Sequence, residues 1–322
     1  MIRTRLFLLI LIPIIAAGCR SAYQPADTSY TIETAHRKIQ RTYPDVQAIE
    51  AILPAGVRAK HNIVYQRRKD GRHLHLDLFQ PKGRQQNHPL VMLIHGGGWI
   101  AGAKENVVPM AQQLAAKGYT CAAVEYRLGE EAPFPAAMHD LQAALQFLHT
   151  NAKRYAIDTS QIAVLGFSAG AQLASLLGTT ARVDSAFSFS ATSEVQNTVP
   201  VHAVLNIDGI LSFTHPEAAA EWTGRSANAW LGPYEENKER WKAASPLAYA
   251  GADTPPFLFV NSGKARFHAG RDDLIAVLQA HNIYYQQHTF EEAPHSFWLV
   301  HPWFNPTLTQ IEAFLKTVFP KN

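Results

Sequence analysis

From Leu90 onward the chain alternates short apolar runs with longer helical segments, and that rhythm restricts the folds open to it. The runs are Leu90–Ile94, Tyr119–Val124, Ile162–Leu165, Val201–Ile207, Phe257–Val260 and Tyr284–Phe290. Between and after them, Val107–Lys117, Pro135–Asn151, Ala169–Leu177, Asp272–His281 and Pro306–Val318 carry helical patterning. Most of the runs are continuously apolar, as expected for strands covered on both faces. The alternation predicts an α/β fold with a mostly parallel central sheet and helices on both faces. Upstream, Asn62–Tyr65 and His73–Phe79 flank the turn signal Asp70-Gly71 and read as a hairpin. Glu217–Ala244, with Trp222, Trp230 and Trp241, reads as a helical insertion able to wall a site, and the Ser/Thr-rich Arg182–Val199 as a loop.

With 322 residues, 47% of them hydrophobic, the chain suits one large domain. A net charge of +3 and the lone basic cluster Arg67-Arg68-Lys69 give no nucleic-acid track. The fifteen histidines are scattered, without His-x-x-x-His or Cys-x-x-Cys spacing, so neither a metal nor a cofactor is expected. Cys121, inside an apolar run, reads as a small core residue.

Gly166-Phe167-Ser168-Ala169-Gly170 follows the strand Ile162–Leu165 and opens an Ala/Leu-rich helix. A tight strand-to-helix turn demands small flanking residues and lifts the serine hydroxyl over the sheet edge, at the positive end of the helix dipole. Ser168 is the candidate nucleophile. His95-Gly96-Gly97-Gly98-Trp99 follows the strand Leu90–Ile94. Negative charge building on a carbonyl oxygen needs backbone N–H groups at close range, which side chains would obstruct. The amides of Gly97, Gly98 and Ala169 are therefore assigned to an oxyanion hole, and His95 to bracing the loop. A phosphate loop would end in Lys and Ser or Thr, and Trp99 does not fit one.

These motifs, with Glu125-Tyr126-Arg127-Leu128, Pro133-Phe134-Pro135-Ala136-Ala137 and Asp140 between them, occur in a familiar order and spacing. Over about residues 60–320 the chain resembles the esterase/lipase superfamily that includes hormone-sensitive-lipase-like enzymes and secreted carbohydrate esterases. The resemblance implies the α/β-hydrolase fold and hydrolysis of esters, with Arg127 and Asp140 supporting the fold.

The base is expected in a loop after the last strand. His295, in Glu292-Ala293-Pro294-His295-Ser296-Phe297, resembles the superfamily's Gly-His-x-Phe ending and is preferred to His301. The acid departs from the usual pattern. No carboxylate lies between Asp253 and Asp272, where an Asp normally follows the penultimate strand. Asp208 ends the strand after the nucleophile's, at the sheet edge where sites form, and some lipases of this fold place their acid there. Asp208 is taken as the acid, with Asp272, Glu292 or no acid partner at all as alternatives.

Trp99, Arg266, His268 and Trp298 are candidate substrate contacts: aromatic faces for sugar rings and Arg266 for a carboxylate, as in a uronic acid. The expected function is release of acetyl-like groups from plant polysaccharide or oligosaccharide through an acyl-enzyme on Ser168. The alternatives are an amidase or peptidase, or a non-catalytic polysaccharide-binding lipoprotein. At the N-terminus, Arg3 and Arg5 precede the apolar run Leu6–Ala17, and Ala16-Ala17-Gly18-Cys19 resembles a bacterial lipobox, with Ala16 in place of the usual Leu. The expected layout is a signal peptide over 1–18, a tether and N-terminal helix over 19–55, and a catalytic domain over 56–322. A lipid at Cys19 would attach the chain to a membrane of the bacterial envelope. Thr31–Arg41 reads as a helix that either packs on the domain or stays loose.

Overall fold

The structure, a computed structural model, describes residues 27, 29–83, 87–181, 199–221 and 224–320. Cys19, Trp222 and all of Arg182–Val199 except Val199 itself lie outside them. The strands are β1 (Gln47–Ala48), β2 (Val57–Arg67), β3 (His73–Pro81), β4 (His88–Ile94), β5 (Thr120–Val124), β6 (Ile157–Phe167), β7 (Ala203–Ile207), β8 (Phe257–Ser262), β9 (Tyr285–Phe290) and β10 (Val300–His301). The helices are α1 (Ile32–Gln40), α2 (Val108–Ala116), α3 (Ala136–Thr150), α4 (Ala169–Thr180), α5 (Arg225–Leu231), α6 (Lys238–Ala243), α7 (Arg271–Ala280) and α8 (Phe304–Val318).

Eight strands form one sheet in the order β2-β3-β5-β4-β6-β7-β8-β9. The expected hairpin supplies β2 and β3, which pair antiparallel; β3 also runs antiparallel to β5. From β5 to β9 every neighbouring pair is parallel. This is the mixed, mostly parallel sheet of the α/β-hydrolase fold.

Side-chain alternation along the central strands divides the core into two layers. Met92, Val164, Val204 and Phe259 point to one face, where they meet Leu141 and Leu145 of α3 and Leu173 and Leu177 of α4. Leu93, Leu165, Leu205 and Val260 point to the other, against Leu114 of α2 and Ile311 and Phe314 of α8. Each fully buried Leu, Val or Phe contributes roughly 1.5–3 kcal/mol of transfer free energy, so both faces help to hold the strand edge that carries the site. Cys121 is a buried free thiol in the second layer.

One strand departs from the sequence reading for a local reason. β6 begins at Ile157 rather than Ile162, pairing Ile157 with His88 before a register shift. Asp158, Ser160 and Gln161 hydrogen-bond among themselves there, and their polarity hides the strand. Of the two placements open to Thr31–Arg41, the structure shows the packed one. Thr31 and Thr34 form a reciprocal cap at the start of α1. Ala35 enters the second layer, and Ile39 packs with Val46 and Val300. The antiparallel pairing of β1 with β10 secures this segment.

Candidate active site

Three parallel strands deliver the central residues at their C-terminal ends, where the loops of such sheets build sites. Ser168 stands between β6 and α4, with φ 53° and ψ −121°. This sparsely populated conformation is held by the Ser168 N–H bond to Ile207 O (2.9 Å) and by Ala171 N–H donating to Ser168 O (2.8 Å). A side chain at Gly170 would overlap the carbonyls of Ile94 and His95, so the elbow packs directly beneath the glycine loop. Among the described residues, four of the seven non-glycine residues at positive φ are Trp99, Ser168, Asp208 and Ser296, all of which line this site.

His295 lies in the loop after β9. Its Nε2 is 2.8 Å from Ser168 Oγ, and its Nδ1 is 2.7 Å from Asp208 Oδ2. Asp208 follows β7 directly, and its side chain is fully buried. Its carboxylate also accepts from Ser262 N–H (3.0 Å, at Oδ1) and from Ser262 Oγ (2.8 Å, at Oδ2). A carboxylate bonded in this way fixes Nδ1 as the protonated ring nitrogen and leaves Nε2 to accept the Ser168 proton. Ser262 stands at the end of β8, the strand after which the superfamily's acid is expected, and there it braces Asp208 on the neighbouring strand.

The other candidate acids lie elsewhere. Asp272 is exposed in the first turn of α7 and pairs with Arg271, whose hydrogen bond holds its carboxyl below the usual range. Glu292 is exposed, and its carbonyl accepts from the Tyr43 hydroxyl at 2.7 Å. His301, the rival base, sits in β10 opposite Gln47.

The glycine loop faces Ser168. Among the described residues, the amides of Gly97, Gly98 and Ala169 donate to no protein acceptor, so all three are available to an oxygen in the cleft. Gly98 has φ 60°, and a side chain there would meet Ser226 Oγ at 2.9 Å. That contact brings α5 of the insertion against the loop. Below it, Trp99 stacks on Trp230 with ring centroids 5.2 Å apart and planes 6° apart. The Trp99 indole donates to Gln172 Oε1 (2.8 Å), while Gln172 Nε2 donates to Ala244 O (2.7 Å). The insertion thus supports the loop from beneath and contributes Ser226 to the cleft wall. His95 stacks on Tyr126 and hydrogen-bonds to Gly96 O at 2.8 Å. Burial pushes its imidazole down to about 4, so it is neutral in the working range. Arg127 grips the buried Asp140 with two parallel bonds, at 2.7 and 2.8 Å, at the start of α3.

A cleft of about 720 Å³ opens over Ser168 and Asp208. Arg266 and Trp99 line it, although Trp99 is only 9% exposed and offers little of its ring. The expectation of substrate contacts for His268 and Trp298 is corrected. His268 is 7% exposed and Trp298 3%, and neither lines the cleft. Burial, and then the nearby Arg271, push the His268 imidazole below its usual value. Trp298 packs edge-on beneath His295, its ring centroid 5.2 Å from the imidazole.

Two contributors escaped the sequence reading. Phe267 lies flat on His295, with ring centroids 3.5 Å apart and planes at 10°. The segment around α1 forms one wall of the cleft through Tyr30, Thr34, Lys38, Thr42 and Tyr43. It is tied to both functional loops. Asp27 Oδ2 accepts from Gly102 N–H (3.0 Å) beyond the glycine loop, and the Tyr30 hydroxyl hydrogen-bonds to Ser296 Oγ (2.9 Å) beside the base. Burial pushes the Tyr30 phenol up to about 12, so it stays protonated in this contact. The only sequence signal for this wall was the helical character of Thr31–Arg41.

Among known proteins, the profile of the BD-FAE family matches residues 76–286, well over half of the chain. The probable carboxylic ester hydrolase LipM of Mycobacterium tuberculosis is 28% identical over 230 residues, covering 70% of this chain and 51% of its own. The chain therefore spans about half the length of the curated relatives it matches. Among solved structures, a truncated carbohydrate esterase from gut microbiota superposes with a TM-score of 0.68 at 19% identity, over 85% of this chain and 99% of that one. Esterase B of Lactobacillus rhamnosis gives 0.69 at 21% identity, over 89% and 91%. At these identities the two structures speak for the fold, and the family match speaks for descent. The chain belongs to the BD-FAE family, within the esterase/lipase superfamily of the α/β-hydrolase fold.

Proposed function

We propose that this chain is a serine carboxylic-ester hydrolase that removes acetyl-like groups from plant polysaccharide or oligosaccharide. The observation that carries the esterase reading is the unbroken chain from Ser168 Oγ through His295 to Asp208, facing three unused amides. Ser168 Oγ attacks the ester carbonyl while His295 Nε2 takes its proton, and the carbonyl oxygen becomes an oxyanion bound by the Gly97, Gly98 and Ala169 amides. Asp208 stabilises the imidazolium. Collapse of the intermediate breaks the ester C–O bond, and His295 returns the proton to the departing sugar hydroxyl. Water, deprotonated by His295, then attacks the acyl-enzyme, releasing the carboxylic acid and restoring Ser168.

The saccharide reading draws on the cleft lining. Ser29, Thr34, Thr42, Ser226 and Ser296 bring hydroxyls to it, and Tyr43 a ring with a polar tip. Such a lining suits sugar hydroxyls better than a long acyl chain. The gut-microbiota neighbour, described as a carbohydrate esterase, points the same way. The test is release of acid from acetylated xylan, acetylated pectin and methyl-esterified pectin, alongside a small acetyl ester and the matching amide. Turnover of the acetylated glycans and the small ester is expected. Cleavage of the amide alone would identify an amidase, and inactivity throughout together with no labelling by a fluorophosphonate would identify a binding protein.

Envelope attachment through Cys19 belongs to the same proposal and is supported by the apolar run and the Ala16-Ala17-Gly18-Cys19 motif. Cys19→Ala should abolish lipidation and move the protein from the detergent phase to the aqueous phase on partitioning. An unchanged mature mass and unchanged partitioning would refute the anchor.

A further inference from the structure

We propose that Tyr30 and Tyr43 are positioning residues of the ester hydrolysis. Their hydroxyls grip the loop that carries His295 on both sides of the base and hold the imidazole against Ser168 Oγ. The proposal rests on the esterase reading above and gives the segment around α1 a part in turnover beyond walling the cleft.

The backbone of that loop does little to fix the base by itself. Between β9 and β10 its backbone bonds close only short turns: Ala293 N–H to Phe290 O (3.0 Å), Phe297 N–H to Pro294 O (3.1 Å) and Leu299 N–H to Ser296 O (3.0 Å). Among the described residues, the N–H groups of His295 and Ser296 donate to no backbone acceptor. Ser296 also holds φ 74°, a conformation that persists only where the surroundings enforce it. Phe297 and Trp298 anchor the far end by burial, and Asp208 grips the ring of His295. The remaining long-range ties come from the segment around α1. The Tyr43 hydroxyl donates to Glu292 O (2.7 Å), three residues before the base, and the Tyr30 hydroxyl bonds to Ser296 Oγ (2.9 Å), one residue after it. Ile49 N–H donates to Leu299 O (3.1 Å), just before β10 pairs with β1.

Both tyrosines are themselves held in place. The Tyr30 ring packs on the second core layer, and its carbonyl accepts from Asn106 Nδ2 (2.8 Å), whose side chain stands in the turn before α2. The Tyr43 ring meets Trp303 edge-on, with centroids 5.4 Å apart, beside the buried Ile39, Val46 and Val300. The hydroxyls therefore reach the loop from a fixed platform. Ser168 rides on the elbow after β6 and His295 on the loop after β9, so their 2.8 Å contact requires two separate pieces of chain to stay in register. Asp208 sets the tautomer and orientation of the imidazole, whereas the tyrosines set where the backbone beneath it stands. A displacement of about 1 Å in a reacting group can cost on the order of a hundredfold in rate.

The experiment compares the full-length parent with Tyr30→Phe, Tyr43→Phe and the double variant on p-nitrophenyl acetate and on an acetylated xylo-oligosaccharide. Phenylalanine keeps both rings in their packing, so the variants should fold; circular dichroism and the thermal midpoint check this. Each single variant should lower kcat by about threefold and the double by about tenfold, on both esters, with KM changed by less than about twofold. Labelling of Ser168 by a fluorophosphonate should slow by a similar factor. His36→Ala is the control. It removes the contact of His36 Nε2 with Val46 O (3.0 Å) inside the same segment, and His36 does not line the cleft. That variant should lower the thermal midpoint at least as much and leave kcat near parental. A loss confined to the saccharide and expressed in KM would make the tyrosines substrate contacts and overturn the proposal. Parental kcat in the folded double variant would overturn it too, as would an equal fall in kcat in His36→Ala, which would reduce the effect to loosening of the segment. A parent inactive toward both esters and unlabelled by the fluorophosphonate would remove the esterase reading and the proposal with it.

Discussion

Ser168→Ala is expected to fold as the parent does and to lose ester turnover by on the order of 10⁴-fold or more. The replacement removes the atom 2.8 Å from His295 Nε2 and nothing from the core. Alanine carries the same Cβ as serine, so the strained backbone at φ 53° meets no new clash. The backbone bonds from Ser168 to Ile207 and Ala171 are independent of the side chain. The stability change should therefore stay within about 1 kcal/mol, the worth of one side-chain hydrogen bond. Labelling by a fluorophosphonate should disappear along with turnover. The residual rate would come from the Gly97, Gly98 and Ala169 amides acting on bound substrate with water as nucleophile. Near-parental turnover of a small acetyl ester by the folded variant would sink the acyl-enzyme mechanism, and retained labelling would move the nucleophile elsewhere.

Local chemistry made part of this site legible in the sequence, and long-range packing hid the rest. Gly166-Phe167-Ser168-Ala169-Gly170 and His95-Gly96-Gly97-Gly98-Trp99 are contiguous and carry their own reasons. Each follows an apolar strand and needs small residues where backbone approaches backbone. The central strands were equally visible, because burial on both faces leaves an uninterrupted apolar run. The edge strand β9 was found from less, since Tyr285–Phe290 is only partly buried. β1 and β10, two residues each, leave no periodicity to read.

The cleft wall depends on contacts that no window of sequence contains. Tyr30 and Ser296 are 266 positions apart, and Tyr43 and Glu292 are 249 apart. A nine-residue amphipathic helix announces that it will dock, but not where. The same limit explains the substrate contacts. Arg266, His268 and Trp298 all lie near the base in sequence, yet the short turn Ala265–His268 points Arg266 into the cleft and buries His268. Trp298, three residues after His295, turns under the imidazole and meets Phe167 and Phe297 in the second core layer. An aromatic residue beside a base serves as floor or as wall according to the turn that carries it. Ser296, at φ 74°, sets that turn here.

Asp208→Asn is the second large effect expected, and it tests the placement in which this chain departs from its superfamily. The hydrogen bonds dictate how the amide would sit. Oδ1 of Asp208 accepts from Ser262 N–H, so an asparagine must keep its carbonyl oxygen on that side. Its NH₂ group then replaces Oδ2 and faces His295 Nδ1 and Ser262 Oγ. The serine hydroxyl can rotate to accept, but an N–H facing Nδ1 requires that nitrogen to be unprotonated. The imidazole proton would move to Nε2, the atom that must accept from Ser168. The variant would thus hold the wrong tautomer and also lose the charge that stabilises the imidazolium. In serine proteases the corresponding change costs about 10⁴-fold in turnover. The fold should tolerate it, because asparagine has the same shape and accepts the left-handed backbone, φ 56°, found here. Asp272→Asn is the matched control. That carboxylate is exposed, pairs with Arg271 and sits in the first turn of α7, so its loss should cost under about 1 kcal/mol of stability and leave turnover near parental. Turnover of both variants, each checked by circular dichroism, decides the matter. A folded, fully active Asp208→Asn beside an inactive Asp272→Asn would transfer the role to α7. Two active variants would show that the Ser168–His295 pair works without a carboxylate at Nδ1, and that the bond from Asp208 only holds the loop after β9 in place.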